Sequence, residues 1–218
     1  MSIEEICKKY GIENYTINSD GSIDVDGDVL IWGYNLNEMP LKFNKVTGNF
    51  NCSENAQNDL KGSPRWVDGN FYSRFNKLTS LEGCPEKVDG DFYIDNSKLT
   101  NLKGCTKYIG GEFDCSDNEL TSLEGCPKSI GKGFYADRNC LSDLDFIPDS
   151  MGGGFYCDNN ILESVFNGVN IDFLRAFKSF KIIQDNVVNL KRLKYLMSMF
   201  DNPVKLEEIE LYYKIKWV

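Results

Sequence analysis

A period of 21 residues runs through most of this chain without an insertion, and it restricts the fold to a coil of near-identical turns. A hydrophobic residue recurs at Val29, Phe50, Phe71, Phe92, Phe113, Phe134 and Phe155. Two residues further on come Ile31, Cys52, Ser73, Ile94, Cys115, Ala136 and Cys157, and four residues earlier lie Val25, Val46, Val67, Val88, Ile109, Ile130 and Met151. Asn55, Asn76, Asn118, Asn139 and Asn160 share a later column, with Tyr34 and Ser97 in the other two rungs. Next come Leu36, Leu78, Leu99, Leu120, Leu141 and Leu162, interrupted by Gln57. The last column is Met39, Leu60, Leu81, Leu102, Leu123, Leu144 and Val165. Several independent columns holding phase over seven rungs exclude coincidence.

Each rung is read as one short strand whose alternate residues point inward. The Asn column supplies side chains able to bridge backbone groups of neighbouring turns. Gly27, Gly48, Gly69, Gly90, Gly111 and Gly153 stand two residues before the strand, where a tight bend is expected. Pro64, Pro85, Pro127 and Pro148 mark the opposite, convex side, where so short a rung has no room for a full helix. Seven strands stacked about 4.8 Å apart make a shallow arc on the order of 30 Å long.

The spacing Phe113-x-Cys115-x-x-Asn118-x-Leu120-x-x-Leu123 resembles the leucine-rich repeat. The rungs are similar to the short repeats of bacterial effector proteins. The wording Leu-Thr-Ser-Leu-Glu-Gly-Cys-Pro at 78–85 and 120–127, and the leader from Tyr15 to Asp28, resemble repeats of proteins encoded by large bacteriophages. The resemblance covers roughly residues 12–165. It implies a repeat solenoid, mainly β, of parallel stacked strands, and a binding role without naming the partner.

Atypical ends are expected to cap such a coil. The N-terminal cap, residues 1–26, combines a short helix opened by the Ser2/Glu5 capping box with a β-hairpin around Asp20-Gly21. Residues 27–165 form the seven-rung solenoid. Residues 166–218 form a mainly helical C-terminal cap, with amphipathic helices over 171–180 and 187–200 ended by Asn202-Pro203, and an alternating tail at Leu211, Tyr213, Ile215 and Trp217.

Composition narrows the function. The formal net charge is −9, which argues against binding nucleic acid or an anionic membrane through basic patches and favours a protein partner with a basic or mixed surface. No apolar run approaches the roughly 18–20 residues that span a bilayer. The opening residues do not read as a secretory signal, so the expected location is the cytoplasm, that of the bacterial host if the phage resemblance holds. The chain has no histidine, which removes every triad or dyad built on a histidine base. Some bacterial effectors join similar repeats to a ubiquitin ligase with a nucleophilic cysteine, but here the last cysteine, Cys157, lies inside the repeats. Cys84, Cys105 and Cys126 form a ladder rather than a converging zinc site, so they read as small buried hydrophobes. No enzyme activity, metal or cofactor is expected.

The residues between the inward positions should face solvent: Leu30, Asn51, Tyr72, Tyr93, Asp114, Tyr135 and Tyr156. One position before the strand lie Asp28, Asn49, Asn70, Asp91, Glu112, Gly133 and Gly154. The column after it reads Trp32, Ser53, Arg74, Asp95, Ser116, Asp137 and Asp158. A tyrosine stripe beside carboxylates suits protein recognition, giving rigid contact area and attraction for Lys and Arg. The candidate partner-binding residues are Trp32, Tyr72, Arg74, Tyr93, Asp95, Asp114, Tyr135, Asp137, Tyr156 and Asp158. The expected function is a non-enzymatic interaction module, a phage protein that binds and inhibits or diverts a host protein such as a defence component; the alternatives are an acidic decoy that imitates nucleic acid and a self-associating structural protein. The chain is expected to be a monomer or homodimer.

Overall fold

A computed structural model describes residues 1–142, 145–160, 171–179, 183–184, 187–199 and 214–216. Leu144, Leu162, Val165, Phe200, Asn202-Pro203, Leu211, Tyr213 and Trp217, together with the boundary at 165–166, lie outside these residues. The chain forms a parallel β-solenoid. Each complete turn contributes two short strands where one was expected, for example Tyr108–Ile109 and Phe113–Asp114. They stack into an eight-stranded first sheet and a seven-stranded second sheet. The side marked by Pro64, Pro85, Pro127 and Pro148 therefore leads into the first sheet. Its strands are mostly two residues long, too short to show the alternation by which a strand is read from sequence.

After an irregularity between Ile23 and Asp24, where the hairpin joins Phe43–Val46, register is constant along the coil. In the second sheet Phe50 pairs with Phe71, Phe71 with Phe92, Phe92 with Phe113, Phe113 with Phe134 and Phe134 with Phe155. These phenylalanines are fully buried, with neighbouring ring centroids 5.0 to 5.7 Å apart. Val25, Val46, Val67, Val88, Ile109, Ile130 and Met151 line the first sheet and are buried in the same core. Each buried side chain of this size stabilises the fold by about 1.5–3 kcal/mol before conformational entropy is counted.

The Gly column before the second sheet owes its residue type to close stacking more than to a bend. Only Gly27 among those six has a left-handed φ, +131°. At Gly69 and Gly90 an added Cβ would sit 2.6 Å from the carbonyl oxygen of the equivalent glycine one turn earlier. A side chain there would hold successive turns apart.

Helix α1, Ile3–Tyr10, opens with both halves of the capping box: the Ser2 amide donates to Glu5 Oε2 at 2.8 Å, and the Glu5 amide donates to Ser2 Oγ at 3.3 Å. Strands Tyr15–Ile17 and Ile23–Val25 pair antiparallel and close the N-terminal edge of the first sheet. At the other end, helices α2 (Ile171–Ser179) and α3 (Leu190–Met197) pack together and bury Phe173, Leu174, Leu193 and Leu196. Helix α3 starts later than the expected position 187, because Val187–Asn189 is a strand paired with Ile183–Gln184 and Lys214–Lys216. Residues such as Val187 and Val188 favour extended backbone over helix. No described helix is long and apolar enough to cross a membrane.

The asparagine ladder ties the turns together. Asn118 Nδ2 donates to the carbonyls of Ile94, Cys115 and Ser116 at 3.1, 3.1 and 3.2 Å, and its Oδ1 accepts from the Leu99 amide at 2.9 Å. Asn139 and Asn160 repeat the pattern one and two turns later. Besides Tyr34 in the first turn, two positions break the ideal repeat. Ser97 occupies the ladder column with its buried hydroxyl unbonded, and Gln57 occupies the leucine column with neither amide atom bonded.

Two substitutions test this account by urea unfolding. Asn118→Ala leaves buried backbone groups without partners and is expected to cost on the order of 3 kcal/mol, the sum of two or three such losses. Gln57→Leu restores the column and is expected to stabilise by about 1–3 kcal/mol, the desolvation penalty of an unpaired buried amide. A destabilised Gln57→Leu variant would show that the amide is satisfied in solution, by water for instance.

Candidate functional site

The outer face of the second sheet carries the expected tyrosine stripe. Tyr72 and Tyr93 stack with centroids 5.4 Å apart and planes 4° from parallel, and Tyr135 and Tyr156 stack at 4.8 Å and 7°. Constant register holds each pair: Tyr72 faces Tyr93, and Tyr135 faces Tyr156. All four rings are half-buried. The hydroxyls of Tyr72 and Tyr93 are positioned by the column before the strand. Asn70 Nδ2 donates to Tyr72 Oη at 3.0 Å, and Tyr93 Oη donates to Glu112 Oε2 at 3.0 Å. Burial, and then that hydrogen bond, push the Tyr93 phenol above its ordinary range. At Gly133 an added Cβ would lie 3.0 Å from Tyr135 Cε2 and Oη, so the missing side chain makes room for the ring to lie back over the backbone.

That preceding column is a second ladder. Asp28 Oδ1 accepts from the Asn49 amide, Asn49 Oδ1 from the Asn70 amide, Asn70 Oδ1 from the Asp91 amide and Asp91 Oδ1 from the Glu112 amide, all at 2.6 to 2.9 Å. Sequence reasoning treated these residues as solvated, whereas each bonds the following turn. The run of Asp and Asn through Asp28, Asn49, Asn70 and Asp91, all short acceptors, was the signal available in sequence.

The acids assigned to recognition separate into different roles. Asp95 is buried; its Oδ1 accepts from Arg74 Nε at 2.7 Å and its Oδ2 from Asn96 Nδ2 at 2.7 Å. It does not offer a free carboxylate to a partner. Arg74 is committed to that pair, and its guanidinium lies 5.4 Å from the Tyr93 centroid and 5.8 Å from that of Phe75. Asp137 Oδ1 accepts from the Asp158 amide at 2.7 Å. Asp114 stands between the two tyrosine pairs, half-buried, its Oδ1 accepting from the Ser116 amide at 2.9 Å. Burial raises its carboxyl above the ordinary carboxylate range, opposed by the bonds from Ser116 and reinforced by Asp95. Asp117 is held below that range by its hydrogen bond from Arg138.

Trp32 is 51% exposed at the N-terminal end of the face, beside Leu30 at 52%. Sequence reasoning missed Phe75, which is 53% exposed and held at φ +53°. It belongs to a column in which Gly33, Glu54, Asn96, Asp117, Arg138 and Asn159 are also left-handed. The Gly, Asn and Asp members of that column were the available sign.

The outer face of the first sheet differs in kind. There Lys45 pairs with Asp68, Arg65 with Glu86 and Lys87 with Asp89, all at exposed positions. These cations and anions satisfy one another. Cysteines are spread along the core: burial pushes the Cys52 thiol up to about 12 and raises Cys105, Cys115 and Cys126 as well. Among the described residues no three His, Cys, Asp or Glu converge as metal ligands would. Compared with known proteins, the chain matches no family model, no curated protein and no solved structure.

Two stability measurements follow from this geometry. Arg74→Ala strands the buried Asp95 carboxylate and is expected to cost on the order of 2–3 kcal/mol, somewhat below a fully buried pair because Arg74 is part-exposed. Arg138→Ala, which breaks an exposed pair, should cost at most about 1 kcal/mol. For Asp114 the folded pKa lies above the unfolded one, so the folded chain holds the proton more tightly. Stability therefore falls as pH rises from about 4, the unfolded carboxyl value, through the raised folded value. Asp114→Asn removes this term, so the variant should be at least as stable as the parent at pH 7 and lose that advantage below about pH 4.

Proposed function

We propose that the chain is a non-enzymatic protein-binding module whose recognition face is the outer face of the second sheet. The observation that carries this reading is the preordered aromatic surface: two parallel tyrosine stacks in fixed register, with the hydroxyls of Tyr72 and Tyr93 tied to neighbouring side chains. Rigid tyrosines give amphipathic contact area whose ordering entropy is already spent in the fold, which favours association. Trp32, Leu30 and Phe75 extend the exposed apolar area. The first sheet, with its internally paired charges, offers less to a partner. The absence of histidine supports a role without catalysis. The phage-like wording of 78–85 and 120–127 makes a bacterial host protein the partner to seek first, inhibited or diverted by occupation of its surface.

The acidic-decoy reading predicts capture through free carboxylates, and it is weakened because Asp95 is buried and Asp91 pairs with Lys132. The experiment is co-purification of the tagged protein from a bacterial host at low and high salt, with partners identified by mass spectrometry. A stoichiometric partner that survives high salt, and whose affinity falls at least about 30-fold when Tyr72, Tyr93, Tyr135 and Tyr156 become Ala in a chain still folded by circular dichroism, supports this face as a hot spot. Full capture by that folded variant overturns it. Many basic proteins lost at high salt would establish the decoy instead.

A further inference from the structure

The outward column of the second sheet interrupts its aromatic run twice after Leu30, at Asn51 and at Asp114. Both residues make the same local contact. Asn51 Oδ1 accepts from the Ser53 amide at 3.0 Å, as Asp114 Oδ1 accepts from the Ser116 amide at 2.9 Å. A neutral amide serves at Asn51, so the scaffold does not require the charge at position 114. Neighbouring acids have partners: Asp95 pairs with Arg74, Asp91 with Lys132 and Asp117 with Arg138, while Glu112 accepts from Tyr93. Asp114 forms no ion pair with any described residue. Arg74 attracts it through space but is committed to Asp95.

Register places Asp114 directly between Tyr93 and Tyr135. Tyr93 stacks on Tyr72 on one side, and Tyr135 stacks on Tyr156 on the other. One face of each ring is therefore left toward the Asp114 turn. Two strand spacings, about 9.6 Å, separate the two rings. One flat group touching both rings needs them about 7 Å apart, so across this wider gap, whose turn also carries Glu112 bonded to Tyr93 Oη, a planar group stacks closely on one ring while facing the other. The chain makes a related contact within itself, where the Arg74 guanidinium lies 5.4 Å from the Tyr93 centroid while donating to Asp95.

We propose that this slot is a binding site for an arginine side chain of a protein partner, its guanidinium seated between Tyr93 and Tyr135 and paired with Asp114. The proposal rests on the reading of the second sheet as the recognition face and names the chemistry that face selects. A guanidinium is planar, stacks on aromatic faces and presents donors to a carboxylate, whereas an ammonium is a compact point charge that stacks poorly. Burial without a counter-ion disfavours the Asp114 charge in the free protein, and an incoming guanidinium relieves that penalty.

The test titrates the intact, isotope-labelled protein with N-acetyl-arginine amide, and with the citrulline and lysine amides, following backbone and tyrosine ring signals by NMR. The expected result is saturable shifts at Asp114, Tyr93 and Tyr135 with arginine, none with citrulline, and several-fold weaker binding with lysine. Asp114→Asn, expected to be at least as stable as the parent at pH 7, should weaken arginine binding by about tenfold or more, as the loss of one charge-assisted hydrogen bond would. Arginine binding unchanged in that variant, equal binding of citrulline or lysine, or shifts confined to other acids would each overturn the proposal. If these titrations fail while partner capture still depends on the tyrosines, the arginine slot falls and the recognition face stands. If the arginine amide binds but capture ignores the tyrosines, the reading of the face falls instead.

Discussion

Backbone hydrogen bonding between successive turns, at a register that repeats from turn to turn, is the constraint on which the rest of the molecule depends. The Phe71 amide donates to Asp91, Phe92 to Glu112, Phe113 to Gly133 and Phe134 to Gly154, and the first sheet does the same on the opposite side. Once neighbouring turns are this close, every side chain is stacked on its own equivalent. A column of one residue type becomes a physical object: a phenylalanine stack in the core, an asparagine ladder at the corner, a tyrosine stack outside. The same closeness explains the glycines, since at Gly69 and Gly90 any side chain would collide with the turn before.

The stacking also decides where charge is tolerated. An acid repeated at every turn would face its own copies at strand spacing, where like charges repel. The molecule avoids this in two ways. On the first sheet, ion pairs between neighbouring turns, as in Arg65 with Glu86 and Lys45 with Asp68, set opposite charges together. Beside the second sheet, Asp and Asn in the preceding column accept backbone amides from the following turn, so their oxygens serve the coil. Against that background Asp114, half-buried between two tyrosine-bearing turns, bonds within its own turn to Ser116 and pairs with no cation among the described residues, which the stacking of turns does not explain. Exceptions to a repeat are where function and fold are most easily separated, because the other turns show what the scaffold alone requires.

Residues that depart from the pattern do so at a cost in stability. Gln57 puts an unbonded amide in an apolar column, Ser97 replaces a ladder asparagine, and Phe75 holds a left-handed backbone that bulky residues disfavour. Gln57 and Phe75 lie in adjacent turns near the N-terminal half of the tyrosine stripe, and Ser97 one turn beyond. A solenoid tolerates such local faults because each turn contacts chiefly its two neighbours, so a weak turn does not propagate far along the coil.

The period alone determined that the chain coils, how long each turn is, which residues point inward and which column lines the outer face, because equal spacing in sequence becomes stacking in space. Column membership alone places Tyr72, Tyr93, Tyr135 and Tyr156 together on that face. The second strand in each turn was not legible, since a strand of two residues carries no alternation. Nor were the roles of the acids: Asp95, Asp114 and Asp137 look alike in a list of solvent-facing positions. Only the tertiary structure separated them, because burial, an ion pair and an amide bond depend on which neighbour one turn away reaches each carboxylate. Asp95 meets Arg74 and is consumed, Asp137 meets the Asp158 amide, and Asp114 lies between two tyrosine rings with its charge unpaired.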